Sequence, residues 1–245
     1  MIIPKRNRVL LAHICLAWLL AQTMGTVQAS PRLLAETDFA AIDAYLQNQR
    51  KDLGIPGMAL AIVQGDQIVH QQGFGVADSS GRAATPQTPF YIASVTKPLT
   101  ALAVMQLVEA GKIDLDAPLQ QYLPWFELAD AQSSARITVR NLLNQTTGIT
   151  RMAGVQEWTR QGLDELVAGL KRLEITQPVG TTYQYSSLNY RLAGLLVEQA
   201  SGQSYAEYVS RHIFEPLEMR HSYTSREAAL ASGLAAGYHY MLGRA

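Results

Sequence analysis

A serine and a lysine stand three residues apart in Tyr91-Ile92-Ala93-Ser94-Val95-Thr96-Lys97. Residues with this spacing share one face of a helix. The segment follows an extended approach, Thr88-Pro89-Phe90, and opens a stretch that reads as a helix from Lys97 to Ala110. Leu99, Leu102, Met105, Leu107 and Val108 are its apolar positions and Gly111 is its stop. Pro98 fits only a first turn, where a missing N–H costs nothing. A hydroxyl and an amine are thereby expected together at the positive end of a helix dipole. Such a pair can do nucleophilic acyl chemistry: the amine takes the hydroxyl proton, and dipole and backbone N–H groups favour a developing oxyanion. The bland alternative is an N-capping serine followed by a solvated lysine. Ser-x-x-Lys also arises by chance about once in a chain of this size. The tetrapeptide alone favours the bland alternative, so the rest of the chain must decide.

The elements that would position this pair can be read in order. Thr37 to Asp52 has the pattern of an amphipathic helix, with Phe39, Ile42, Tyr45 and Leu46 on one side, Thr37 or Asp38 as cap and Gly54 as stop. Gly57 to Val63 is a short apolar strand, Gly65-Asp66 a two-residue turn, and Gln67 to His70 the returning strand. Gly73, Gly75 and the Asp78–Gly81 cluster then mark a loop. Ile137 to Leu143 begins a short helix closed at Thr147-Gly148. Leu163 to Leu173 is a further helix, and Pro178 to Thr182 a turn. Asn189 to Ala200 is a helix with Leu192, Leu195, Leu196 and Gln199 on one side, and Tyr205 to Phe214 is another, ended by Pro216.

The front end has the marks of an export signal. Lys5, Arg6 and Arg8 form a basic region, Val9 to Leu20 an apolar run broken only by His13, and Val27-Gln28-Ala29 a cleavage site of small residues before Ser30. The apolar run is short for a membrane span. The expected product is periplasmic or secreted, with no membrane span after cleavage. The single cysteine, Cys15, lies inside this segment, so the product would hold no disulfide. Removing three cations from the 20 Lys plus Arg leaves 17 against 20 Asp plus Glu, a net charge of −3. That argues against a nucleic-acid partner, which needs a basic surface. His-Glu-x-x-His and cysteine pairs are absent, so no metal and no cofactor are expected. No Gly-x-Ser-x-Gly elbow is present either. His70, His212, His221 and His239 sit in no recognisable catalytic context.

Several stretches together resemble the serine β-lactamase-related hydrolases: class C β-lactamases, D-Ala-D-Ala peptidases and esterases of the same fold. They are Gly57–Val63, Phe90–Lys97, Gly111–Pro118, Ile137–Gly148, Gly180–Ser187, Gly202–Tyr205 and Phe214–Met219. Their order covers nearly all of residues 55–224. The resemblance implies an α/β (α+β) fold of the β-lactamase/transpeptidase type, an antiparallel sheet flanked by helices with a helical region inserted. It implies Ser94 as nucleophile, Lys97 as its proton partner and an acyl-enzyme mechanism. It also implies a Tyr-x-Asn motif facing the serine. Here that motif reads Tyr185-Ser186-Ser187, so the tyrosine matches and the asparagine does not. A tyrosine beside a lysine loses its proton more easily. That makes Tyr185 the expected relay between Ser94 and the leaving group. Ser187 is the expected substrate-binding donor, with Asn189 as a less favoured substitute.

The third motif of the family, Lys-Thr-Gly or His-x-Gly on a strand beside the serine, has no counterpart after Tyr185. His221-Ser222-Tyr223 and His239-Tyr240-Met241 do not match, and no lysine follows Lys171. The expected organisation is therefore a signal at 1–29 and a domain at 30–245 that is truncated, with its C-terminal strands missing. Within it, 30–92 is the N-terminal helix and hairpin, 93–224 the mostly helical region and 225–245 the start of a return to the sheet. The expected function is an exported serine hydrolase acting on an amide or ester: a β-lactam, a cell-wall peptide or a small ester. The alternative is an inactive penicillin-recognising module that binds cell-wall peptide or a partner. The oligomeric state is not legible.

Overall fold

A computed structural model of the chain describes residues 39–150 and 162–238. The chain divides into two units, Met1–Leu46 and Gln47–Ala245. Only residues 39–46 of the first are described; they begin helix α1 (Phe39–Asp52), where Tyr45, expected on the inner side, is exposed. The expected signal at 1–29, the caps at Thr37 and Asp38, and His239 lie outside the described residues. All the remaining elements lie in the second unit.

Strands β1 (Gly57–Gln64) and β2 (Gln67–Gly75) pair antiparallel around the Gly65-Asp66 turn, from Gly57 opposite Gly75 to Gln64 opposite Gln67. The register shifts once, between Ile62 and Val63. The returning strand runs well past His70. Gly73 and Gly75, expected to mark a loop, lie inside it. The reason is close backbone approach: a Cβ on Gly73 would stand 2.2 Å from the Ala84 carbonyl oxygen, and one on Gly75 2.1 Å from that of Pro56. Glycine inside a strand commonly marks such an approach. Arg50 at the end of α1 donates to the Ile55 and Pro56 carbonyls and so ties that end to the start of β1.

The helices come next. A 3-10 turn at Ala93–Thr96 runs into α2 (Lys97–Glu109), with Pro98 in the first turn as its missing N–H requires. Then come α3 (Ala131–Arg136), α4 (Val139–Leu143), α5 (Leu163–Leu170) and α6 (Ser187–Ser201). They are followed by α7 (Tyr205–Val209), which passes into a π turn at Ser210–Phe214, and by α8 (Arg226–Ala231). Local chemistry sets several starts. Thr138 with Asn141, and Ser204 with Glu207, close capping boxes on α4 and α7. Asp130 caps α3 and Ser225 caps α8. Each such cap is worth about 1 kcal/mol. Helices α3 and α8 were not expected. The expected helix Tyr205–Phe214 is present, α-helical to Val209 and π-helical from Ser210 to Phe214, and α5 ends at Leu170 rather than Leu173.

Two apolar clusters hold these helices. One joins Val104 and Leu107 of α2 to Leu196 and Val197 of α6 and to Val209 and Ile213. The other joins Leu123, Phe126 and Leu142 to Leu166, Leu170 and Leu192. Full burial of each such side chain contributes about 1.5–3 kcal/mol. The inner face of α2 is Thr100, Ala103, Val104 and Leu107, whereas Leu102 and Met105 face outward. On α6 the inner face is Leu188, Asn189, Leu192, Ala193, Leu196 and Val197; Leu195 packs half-buried at its margin, whereas Gln199, expected on the same side, is exposed. Among the described residues the architecture is thus helices with a small, two-stranded antiparallel sheet.

Candidate active site

Ser94 sits in the 3-10 turn, one residue after Ala93, whose φ of 46° lies in the left-handed region. A non-glycine residue held there costs on the order of 1–3 kcal/mol, and such strain concentrates at functional sites. The turn converts the extended approach into the first turn of α2 and leaves Ser94 exposed. Its hydroxyl does not cap the helix; no side-chain cap bond is made at that end. Lys97, one turn on and half-buried, instead donates from Nζ to Ser94 Oγ at 3.0 Å. The bland alternative of a capping serine and a solvated lysine is thereby replaced by a direct bond.

Tyr185 arrives from the other side of the chain. It lies just before α6, and its hydroxyl meets Ser94 Oγ at 2.6 Å. Lys97 Nζ stands 4.8 Å from the centroid of its ring. The phenol is held below its ordinary value of 10.0, first by hydrogen bonding with Lys97 and then with Ser94; burial works against this, and Ser187 adds a smaller contribution. The three residues therefore form one hydrogen-bonded unit in which a serine hydroxyl touches both an amine and an acidified phenol. Tyr190 of α6 also faces Lys97, at 5.8 Å from its ring centroid, and burial pushes its phenol upward.

The loop carrying Tyr185 is laced to the segment that follows α4. Gly180 N–H donates to Thr146 O, Gln184 N–H to Gln145 O and Ser186 N–H to Gln145 Oε1. Gly148 turns this segment at φ 79° and accepts from Thr176 N–H. Ser187 is the exposed first residue of α6, next to the reacting groups. Asn189, considered as its substitute, is fully buried; its amide bonds Gln145 Oε1 and its carbonyl accepts from Thr147. It is therefore committed to the interior, with both ends of its amide already partnered. Gln145 was missed in the sequence, because nothing in a lone glutamine beside two threonines signals its left-handed backbone.

A cavity of about 340 Å³ opens beside Lys97, lined in part by Thr100, Tyr190, Arg191, Glu198 and Tyr205. A larger one of about 530 Å³, around Lys112–Asp116 and Arg140, includes none of the reacting residues. Among the described residues no cluster of three or more His, Cys, Asp or Glu is arranged to hold a metal, and no helix is long and apolar enough to cross a membrane.

The sequence matches the Beta-lactamase family over residues 42–244. Protein flp of Staphylococcus aureus (strain MW2) is 29% identical over 185 residues, 74% of this chain and 37% of that protein. PbpX of Bacillus subtilis (strain 168) is 34% identical over 179 residues, 72% of this chain and 43% of that protein. The chain thus spans well under half the length of these two curated relatives. Among solved structures, the octameric penicillin-binding protein homologue from Pyrococcus abyssi superposes with a TM-score of 0.73 at 27% identity, covering 85% of this chain and 49% of that one. EstCE1, described as a hydrolase with promiscuous acyltransferase activity, gives 0.71 at 25%, covering 84% and 57%.

Proposed function

The chain belongs to the Beta-lactamase family, and on that premise we propose that it is a serine hydrolase that cleaves an ester or amide through an acyl-enzyme on Ser94. The observation that carries this is the single unit in which Ser94 Oγ bonds both Lys97 Nζ and the Tyr185 hydroxyl. In the first half-reaction Ser94 Oγ attacks the substrate carbonyl carbon. Its proton passes to the Lys97–Tyr185 pair, and the developing oxyanion faces the N-terminal end of α2. The carbon–leaving-group bond then breaks as Tyr185 returns that proton to the leaving group. Water repeats the sequence on the acyl ester and frees Ser94. Ser187, beside the phenol, is the proposed donor to the substrate. Substrates are acyl compounds of modest size: a small ester, a β-lactam or a cell-wall peptide. The protein is proposed to act outside the cytoplasm, on the strength of residues 1–29.

Intact-mass spectrometry after treatment with a fluorophosphonate or a fluorescent penicillin tests this. One adduct mapped to Ser94, absent in Ser94→Ala and insensitive to chelator, is expected. Labelling that survives in Ser94→Ala would overturn the mechanism. A chain that labels at Ser94 yet turns over no chromogenic ester, β-lactam or cell-wall peptide would leave a penicillin-recognising module in place of an enzyme.

A further inference from the structure

Gln145 is buried, 4% exposed, yet its φ of 63° lies in the left-handed region that side chains avoid. In that conformation it grips both neighbours of one residue. Its carbonyl accepts from Gln184 N–H at 2.8 Å, and its Oε1 accepts from Ser186 N–H at 2.9 Å. Tyr185 lies between them. The same Oε1 accepts from Asn189 Nδ2 at 2.7 Å, and Asn189 Oδ1 accepts from Thr147 Oγ1 at 3.0 Å. Ser186, Asn189 and Thr147 are all buried, so water does not compete for these bonds.

We propose that Gln145 is a positioning residue for Tyr185: it clamps the loop on both sides so that the phenol meets Ser94 Oγ. It touches no reacting atom and acts only through the tyrosine. The catalytic part of this assignment rests on the hydrolase reading above. The groups bearing on the phenol are Lys97 and Ser94 from the start of α2, Ser187 and Tyr190 from α6, and Tyr183 by way of Tyr190. Gln145 is uncharged, so with an uncharged Gly or Leu in its place any change in the titration of Tyr185 comes from position.

Three variants of the whole chain test the clamp. Gln145→Gly suits the backbone conformation but lacks the side-chain acceptor. Gln145→Leu keeps bulk without the acceptor. Gln145→Glu retains an acceptor oxygen in either protonation state. The readouts are the fluorophosphonate acylation rate, kcat and KM on a chromogenic ester, and the titration of Tyr185 by carbon-13 tyrosine NMR, assigned with Tyr185→Phe. Misplacement of a reacting group by about 1 Å costs on the order of a hundredfold. Gln145→Gly and Gln145→Leu should therefore lose about ten- to a hundredfold in acylation and kcat, with KM little changed. Their Tyr185 should titrate closer to an ordinary tyrosine. Gln145→Glu should restore most of the rate. A Gln145→Gly protein with unchanged rate and titration would overturn the proposal. So would a Gln145→Glu protein as slow as Gln145→Leu. If the unaltered chain neither labels nor turns over, the hydrolase reading fails and the titration alone decides the clamp.

Discussion

Lys97 holds its ammonium 4.8 Å from the centre of the Tyr185 ring while donating to Ser94 Oγ. One cation therefore serves two groups: it bonds the hydroxyl and lowers the phenol's hold on its proton. A cation favours the phenolate, so removing it raises the phenol toward its ordinary value of 10.0. In Lys97→Met the rising limb of the pH–rate profile should move to higher pH. Acylation at pH 7 should fall by about a hundred- to ten-thousandfold, the usual worth of positioned proton transfer. Partial recovery at alkaline pH is expected. A profile unchanged in shape and merely lower in amplitude would contradict the coupling.

Ser187 stands where the resembled motif has asparagine, exposed at the first residue of α6. The longer amide of Ser187→Asn would reach further toward a substrate amide. One added hydrogen bond is worth about 0.5–1.5 kcal/mol, so β-lactam turnover should rise about two- to tenfold while ester turnover changes less. Parallel assays of nitrocefin and a nitrophenyl ester on both proteins check this. A rise of equal size on both substrates would count against Ser187 as the site of amide recognition.

Gly148 is constrained twice. Its φ is 79°, and a Cβ there would stand 2.1 Å from the Gln177 carbonyl oxygen. Gly65 has φ 64° with open space around it. Gly65→Ala should cost only the backbone term, about 1–2 kcal/mol. Gly148→Ala should cost clearly more and should slow acylation, because Gly148 belongs to the segment that laces the Tyr185 loop. Denaturant midpoints of both variants give the comparison. Equal destabilisation would show that the contact with Gln177 relaxes freely.

Export is expected to remove residues 1–29. N-terminal sequencing of protein from the extracytoplasmic fraction of a bacterial host should begin near Ser30. An intact Met1 on cytoplasmic protein would reject the expectation.

The pairing of Ser94 with Lys97 was legible because both lie within one turn, where three-residue spacing and the position of Pro98 fix geometry locally. Tyr185 stands 91 residues from Ser94. No periodicity relates them, and only the resemblance across many stretches suggested their meeting. The hairpin turn was legible in Gly65-Asp66. The length of β2 was not, since glycine is the same letter in a loop and where strand backbones crowd, as at Gly73 and Gly75. Helix α3 was overlooked although Asp130 caps it, because its short polar run carries no hydrophobic period. The burial of Asn189 could not be read from a polar letter; it arises from Gln145 and Thr147 offering it partners inside the protein.

Helix α6 belongs to both apolar clusters, giving Leu188 and Leu192 to one and Ala193, Leu196 and Val197 to the other. Neither cluster can come apart without disturbing it, so its amide hydrogens should exchange with solvent only when the whole domain opens. The hairpin has one buried side chain, Phe74, and should exchange through local opening long before that. Tyr185 adjoins the last part of the protein to let go, whereas the strands can breathe without moving it.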